Sequence, residues 1–426
     1  MILLADSLHD RQLRTAQEVA TDLSDALAVP PPPERDEDRS PSSPRWRGQS
    51  LSKGAAGVAV LHGVRAQGEP GRGDPVHAWL ACATREDLSC GPGAGLWFGA
   101  PAVAFSVATA TPGQYPRATK SLDAAVTTLV RARLEVAFAR LVAAVRPSLS
   151  EFDLVRGLTG LGAYLLRRDP HGELVRRVLA YLVQLTEPLP ADDEAGLSAP
   201  GWWTSDVPSG QPADAFRGGH ADFGMAHGIS GPLALLALAM KQGIIVEGHA
   251  GAIGRICQWL NAWRHEAPTG SWWPERVSLV ELRTGRSIHH GPARPSWCYG
   301  TPGLARAQQL AGQALDDPIR QQMAEHALAS CLSDPAQLGR ITDPALCHGW
   351  AGLIATAWCA AADARSPDIG VHLPRLIDML LRHIHADGSP PRRVPGLIEG
   401  SAGVALTLHS VTTPTDPSWQ TCLLLN

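Results

Sequence analysis

The chain has 426 residues, 44% of them hydrophobic, so it can bury a large core in one large domain or in two or three smaller ones. Its formal net charge of -4 and the lack of a Lys/Arg-rich run argue against a nucleic-acid partner, because phosphate recognition normally needs a basic patch. The apolar start lacks a basic segment, and no apolar stretch reaches the length of a membrane span, so we expect a cytoplasmic protein.

The first fifty residues predict a helix followed by a flexible loop. Helix-forming residues run from about Asp6 to Ala28, with apolar side chains at helical spacing, and they end at a proline run. Residues 30–49 are rich in Pro, Ser and charged side chains, which bury too little apolar surface to offset the entropy cost of ordering. We therefore predict a flexible loop at 30–49, within the domain.

The rest of the chain repeats one pattern, a Gly-x-x-Gly followed by an apolar helical run. A single copy is a common turn-to-helix junction, but recurrence at intervals of about 45 to 72 residues indicates a helical repeat array. Intact copies begin at Gly54, Gly157, Gly228, Gly300, Gly349 and Gly400, and a copy with alanine in place of the second glycine begins at Gly99.

The pattern predicts an all-α fold. Helices that are apolar nearly all round should be buried, and the glycines would let backbones approach closely at one end. Further helical stretches lie between the copies, at 124–145 and 374–385 for example. We therefore predict one domain over residues 1–426, an α/α toroid in which seven helical hairpins form a double-layered barrel. Two segments depart from this pattern: 188–222, expected to pack through Trp202 and Trp203, and 271–282, which has β-character.

Two short stretches carry candidate metal ligands. Cys298 lies just before the copy that begins at Gly300, and Cys347 and His348 precede the copy that begins at Gly349. Eight cysteines in a long chain without a secretory signal favour reduced thiols or metal ligands over disulfides. Three ligands suit a catalytic zinc, which leaves its fourth position to water or substrate.

Taken with the glycine repeat, four motifs make the chain resemble the lanthionine synthetase C-like family, the cyclases of lanthipeptide biosynthesis. The resemblance runs from the first repeat to the C-terminus. The motifs are Gly-Met-Ala-His-Gly-Ile-Ser-Gly at 224–231, Ser-Trp-Cys-Tyr-Gly at 296–300, Leu-Cys-His-Gly-Trp-Ala-Gly at 346–352 and Ile-Glu-Gly-Ser-Ala-Gly at 398–403.

The resemblance implies a seven-fold toroid with one zinc per chain, held by Cys298, Cys347 and His348. It implies that a cysteine thiol of the substrate peptide adds to a dehydroalanine or dehydrobutyrine to give a thioether ring. The implied partners are a dehydrated precursor peptide with leader and core, a dehydratase and an exporter. The implied location is the cytoplasm, peripheral to a membrane-associated biosynthetic complex.

Four catalytic residues also carry over from the resemblance. His227 matches the acid/base, Arg294 an active-site arginine, Tyr299 the residue after the zinc cysteine, and Asp153 an aspartate before a glycine pair. Addition to the β-carbon places negative charge on the carbonyl as an enolate, which needs a cation or donor and then a proton at Cα. We expect Arg294 to supply the cation, His227 the proton, and Asp153 to orient His227. Tyr299 would donate to the enolate or hold a water.

The donor chemistry fits this reaction better than it fits hydrolysis. Two thiolates and a neutral imidazole cancel the charge of Zn²⁺, so a further thiolate stays electron-rich, whereas zinc hydrolases more often use histidine and carboxylate ligands. Three other functions stay open. They are a non-catalytic, zinc-stabilised peptide-binding scaffold, a thiol-addition enzyme for glutathione or dehydrated proteins, and another toroid enzyme such as a protein prenyltransferase β-subunit, whose motifs the chain does not resemble.

Overall fold

The computed structural model describes residues 10–32, 48–68, 74–189, 198–208, 211–385 and 394–426. The predicted N-terminal helix is present as Asp10–Asp25, and its expected first residues lie outside the described ranges. Most of the predicted flexible loop, residues 33–47, also lies outside them.

The described chain is mostly helical, as predicted. Helices make up most of the described elements, and the strands are few and short. None of the described helices is long and apolar enough to cross a membrane. The helices are α1 (Asp10–Asp25), α2 (Ala55–Gly68), α3 (Asp74–Ala83), α4 (Ala100–Ala110), α5 (Pro116–Val142), α6 (Leu149–Phe152), α7 (Leu158–Arg168), α8 (Glu173–Leu185), α9 (Ser230–Lys241), α10 (His249–Ala262), α11 (Leu279–Thr284), α12 (Thr301–Ala314), α13 (Pro318–Ser333), α14 (Pro335–Leu338), α15 (Trp350–Asp363), α16 (Leu373–His385) and α17 (Ser401–Thr412).

Four short strands form two antiparallel pairs. They are β1 (His220–Asp222), β2 (His265–Ala267), β3 (Gly270–Trp272) and β4 (Arg276–Ser278), where β1 pairs with β4 and β2 with β3. The expected β-character of 271–282 is therefore present only as far as Ser278, since α11 follows. A capping box explains this change, because the Ser278 and Glu281 side chains each accept the other's backbone N–H.

A helix follows every glycine copy. Helices α2, α4, α7, α12, α15 and α17 each begin one residue after the first glycine of a copy, and α9 begins two residues after Gly228. At Gly99 and Gly300 the turn needs glycine, because φ is 79° and 87° there and a side chain would strain that conformation.

These glycine-started helices are the buried ones, as their apolar runs and few charges predict. Nearly every residue of α4, α9, α12 and α17 is buried. The helices between them are amphipathic instead: α8, for example, buries apolar residues such as Val178 and Leu182 while its arginines stay partly or fully exposed.

The second glycine of a copy lies against the loop that leads into its helix. A β-carbon placed on Gly57, Gly231, Gly303 or Gly403 would meet a backbone carbonyl six residues earlier in the chain. At Gly231 that separation would be 2.7 Å, from the carbonyl oxygen of Met225. Because a backbone carbonyl cannot swing away as a side chain can, these positions require glycine.

The chain divides into two compact units. The first comprises Met1–Val126, Pro344–Ala351 and Pro374–Trp419, and the second Thr127–Asp343, Gly352–Leu373 and Gln420–Asn426. In the first unit, α2 packs against α3, α4 and α17, and α17 packs against α1. In the second, α9 packs against α7, α10 and α12, while α12 packs against α13. Within each unit the buried helices thus pack against one another, and amphipathic helices pack against them.

Residues 420–426 are held to the second unit by main-chain acceptors. The Trp297 indole donates to the carbonyl oxygen of Leu423 at 3.0 Å. The buried Arg306 donates to Leu425 from Nε and Nη2, at 3.0 and 2.6 Å, and Nη2 also reaches Asp363 at 2.8 Å. In the described part of the segment 188–222, Trp202 and Trp203 are buried, as expected.

Candidate active site

The loops that precede the glycine-started helices are joined by backbone hydrogen bonds. In the second unit Leu154 donates to Ala226 at 3.1 Å, and Met225 donates to Cys298 at 2.9 Å. Asp153, His227 and Tyr299 are the sequence neighbours of Leu154, Ala226 and Cys298. They therefore lie on three adjacent loops, at the same end of α7, α9 and α12. The second unit therefore brings three of the four expected catalytic residues together.

Asp153 and His227 form a direct pair. The Asp153 carboxylate is fully buried, and its Oδ1 accepts the backbone N–H groups of Arg156 and Gly157 at 2.6 and 2.8 Å. Its Oδ2 lies 2.8 Å from His227 Nδ1. Since an ionised carboxylate can only accept, Nδ1 carries the proton, and Nε2 is the nitrogen left for substrate.

The pair changes the acidity of the imidazole. Burial lowers the pKa of His227, but the hydrogen bond and charge of Asp153, with the charge of Asp222, outweigh it. Arg156 opposes them, and the net result is a pKa raised above 6.5. The imidazole is about a third exposed, so it can both reach a substrate and exchange protons near neutral pH.

Tyr299 belongs to a second polar cluster with Asp222 and Arg276. Its hydroxyl donates to Asp222 Oδ2 at 2.9 Å, and Arg276 Nε donates to the same oxygen at 3.0 Å. The guanidinium also lies over the phenol ring, 4.9 Å from its centre. Burial and the Asp222 charge raise the pKa of Tyr299, so the phenol is neutral.

Sequence reasoning missed Asp222 and Arg276. They are 54 residues apart, and the antiparallel register of β1 and β4 sets them opposite each other. One signal was available for Asp222, which stands two residues before the Gly-Met-Ala-His-Gly motif. Arg276 lies in the segment whose β-character was noticed, but no pattern indicated which strand it would pair with.

Arg294 stands apart from these two clusters. Its Nη1 lies 3.9 Å from Asp343 Oδ2, and both side chains are partly exposed. Among the described residues, the structure gives it no hydrogen bond to His227 or Tyr299. Its expected role therefore stays a prediction.

The three predicted zinc ligands are divided between the units. Cys298 is buried in the second unit, with Sγ 3.6 Å from the hydroxyl of Ser296. Cys347 and His348 lie half-buried in the first unit, where Cys347 donates its N–H to Ile398 at 2.9 Å. Neither cysteine is assigned to a disulfide in the described part of the chain. In the described part of the chain no three His, Cys, Asp or Glu side chains form a group that could hold a metal ion, so the zinc site stays a prediction.

Comparisons with known proteins agree on one group. The family model described as lanthionine synthetase C-like protein matches residues 45–424. The nisin biosynthesis protein NisC of Lactococcus lactis subsp. lactis is 27% identical over 207 residues, which are 48% of this chain and 48% of that protein. The match thus spans about half the length of this relative. A solved structure of nisin cyclase superposes with a TM-score of 0.72 over 97% of both chains at 19% identity, a likeness of fold.

Proposed function

The chain belongs to the lanthionine synthetase C-like protein family, and on this premise we propose that it is a lanthipeptide cyclase. It adds cysteine thiols of a substrate peptide to dehydroalanine or dehydrobutyrine residues and forms lanthionine or methyllanthionine rings. The observation that carries the proposal is the pairing of His227 with Asp153 on loops bonded to one another, next to the turn of Cys298 and Tyr299.

His227 moves the proton in this reaction. Its Nε2 takes the proton of the thiol as sulfur forms a bond to the β-carbon, and the electron pair of the alkene moves onto the carbonyl as an enolate. The same nitrogen then gives the proton back at Cα, so that the thiol has added across the double bond. Asp153 fixes the tautomer that leaves Nε2 free and stabilises the imidazolium between the two steps.

Cys298, Cys347 and His348 would hold one zinc per chain. Two thiols and an imidazole are a donor set that zinc accepts, and the fourth position would stay open. Zinc, when bound, favours the thiolate form of a coordinated thiol. Arg294 is proposed to face the enolate, and its guanidinium is partly exposed, with Nη1 3.9 Å from Asp343 Oδ2.

We also propose that the helices close into an α/α toroid of seven hairpins. The helix order supports it, because α1, α3, α5, α8, α10, α13 and α16 alternate with the glycine-started helices. The likeness to nisin cyclase along nearly the whole chain supports it as well. The substrate would be a dehydrated precursor peptide with leader and core, delivered by a dehydratase and passed to an exporter. The enzyme would work in the cytoplasm, peripheral to a membrane-associated complex.

The test combines zinc content with ring closure. Zinc is measured by elemental analysis in wild type, Cys347→Ala and Cys257→Ala. A dehydrated Cys-containing peptide is incubated with each protein and then alkylated, and its mass is determined by mass spectrometry. Cys257 is the matched control, because burial raises its pKa to about 11 and its thiol is a poor metal ligand. We expect one zinc per chain and an alkylation-resistant product, both lost only in Cys347→Ala.

Two results would contradict the proposal in different ways. A wild-type protein without zinc would remove the metal from the mechanism. A zinc-loaded protein that protects no thiol of any dehydrated peptide would instead favour the non-catalytic scaffold.

A further inference from the structure

Asp222 links three parts of the site through its carboxylate and its main-chain carbonyl. It is buried, its Oδ1 accepts the N–H of Gly224 at 2.8 Å, and its carbonyl oxygen accepts the N–H of Ile229 at 2.9 Å. These two bonds close the loop that carries His227. Its Oδ2 is shared by Arg276 and Tyr299, so one side chain connects the His227 loop, strand β4 and the turn of Cys298.

The hydroxyl of Tyr299 has only one proton, and it donates this proton in its hydrogen bond to Asp222. A phenol offers one donor and two acceptor lone pairs. Arg276 can only donate, and it shares Asp222 Oδ2 with the Tyr299 hydroxyl, so this oxygen is the acceptor of both hydrogen bonds. The hydroxyl therefore presents lone pairs to anything else that approaches it. The expectation that Tyr299 donates to an enolate would require it to leave Asp222.

We propose that Asp222, together with Arg276, is a positioning residue that fixes Tyr299 as a hydrogen-bond acceptor toward the substrate, a role that rests on the proposed cyclase function. The group that Tyr299 accepts from is an N–H of the backbone of the substrate peptide. Arg276 adds a second constraint, because its position over the ring prevents the phenol from turning away. Gly224 adds a third, since a β-carbon there would lie 2.7 Å from the ring.

The second unit contains a matched arrangement with which this role can be compared. Glu151 Oε1 accepts the hydroxyl of Tyr181 at 2.7 Å and Nε of Arg140 at 2.8 Å. It is the same trio of carboxylate, arginine and tyrosine, but Tyr181 is fully buried on α8 while Tyr299 is partly exposed. Of these two tyrosines, the partly exposed Tyr299 can contact a ligand. The trio around the buried Tyr181 therefore serves as a control for the effect of packing alone.

The first experiment reads the position of Tyr299 without using activity. The chain has four tyrosines, so 3-fluorotyrosine labelling gives four ¹⁹F resonances, and Tyr299→Phe and Tyr181→Phe identify two of them. We expect Asp222→Asn to shift and broaden the Tyr299 resonance and leave that of Tyr181 in place. Glu151→Gln should do the converse. A Tyr299 resonance that does not move in Asp222→Asn would overturn the proposal.

The second experiment separates positioning from stability. With a dehydrated peptide, Asp222→Asn and Tyr299→Phe should each lower kcat by about tenfold, the loss expected for one hydrogen bond, with KM unchanged. The double variant should be no slower than the slower single variant, because both remove the same interaction. Losses that multiply in the double variant would overturn it. Arg276→Lys, which keeps the charge, covers the case in which Asp222→Asn does not fold, and it should shift the same resonance.

Failure of the proposed function would look different. A wild-type enzyme that closes no ring would refute the cyclase, while the ¹⁹F spectra would still decide whether Asp222 holds Tyr299. If the protein closes rings but Asp222→Asn changes neither the ¹⁹F resonance of Tyr299 nor kcat, only the positioning role is refuted.

Discussion

Replacing Asp153 with asparagine should reverse the tautomer of His227 while leaving its loop folded. The amide oxygen can still accept the N–H groups of Arg156 and Gly157, which lie 2.6 and 2.8 Å from Oδ1. The amide NH₂ would then replace Oδ2, 2.8 Å from His227 Nδ1, and it can only donate. Nδ1 must therefore accept, and in the neutral ring the proton moves to Nε2.

The size of the effect follows from the charge that is lost. The hydrogen bond and the charge of Asp153 both raise the pKa of His227, so we expect this pKa to fall in Asp153→Asn. Because the Nε2 that should take the thiol proton now carries one, ring closure should slow by about a hundredfold or more.

Stability should change with pH in a defined direction. The pKa of His227 is raised in the folded protein, so its contribution to the free energy of unfolding is fully present below about pH 6.5. This contribution is lost as pH rises through the folded pKa. Asp153→Asn should flatten that part of the stability curve, as measured by urea unfolding at several pH values.

The assay is long-range ¹H–¹⁵N NMR of the histidine rings, which distinguishes the two neutral tautomers. His249 is the internal reference, since its Nε2 lies 2.9 Å from the Leu236 carbonyl and is remote in sequence from Asp153. An unchanged tautomer of His227, or an unchanged rate of ring closure with the tautomer reversed, would refute the reasoning. The second outcome would remove His227 from proton transfer.

Three further substitutions test the fold and the metal. Gly303→Ala should destabilise by about 1–3 kcal/mol because its β-carbon would strike a backbone carbonyl, whereas Gly254→Ala, with open space around it in α10, should stabilise by about 0.5–1 kcal/mol in urea unfolding. Arg306→Met should cost about 1–3 kcal/mol, because it leaves the buried carbonyl of Leu425 without its donors and removes one partner of the partly exposed Asp363; an unchanged midpoint would contradict this. Cys347→Ala should lose zinc by elemental analysis while Cys257→Ala retains it, and equal loss in both would indicate misfolding instead.

The helix starts could be predicted because glycine marks them locally. Gly99 and Gly300 adopt backbone conformations that other residues avoid, so the sequence itself records the turn. Burial followed from composition, since α9 is almost entirely apolar and α17 has no Asp, Glu, Lys or Arg. Both inferences needed only short windows of sequence.

The polar partners of the site could not be predicted in this way. His227 and Asp153 are 74 residues apart, and a family resemblance rather than a periodic pattern suggested that they meet. Asp222 and Arg276 had no such support. Their contact depends on the register of two three-residue strands, and strands that short carry too little alternation to reveal a partner.

The anchoring of residues 423–425 has a consequence for the order in which the protein can be completed. The hydrogen bond of the Trp297 indole needs an acceptor that is synthesised 126 residues later, and that of Arg306 needs one 119 residues later. Contacts this distant in sequence form late, because a long loop must close before they are gained. During translation the turn of Cys298 is therefore made before the residues that secure it. A chain still on the ribosome has all its candidate zinc ligands before this turn has its support.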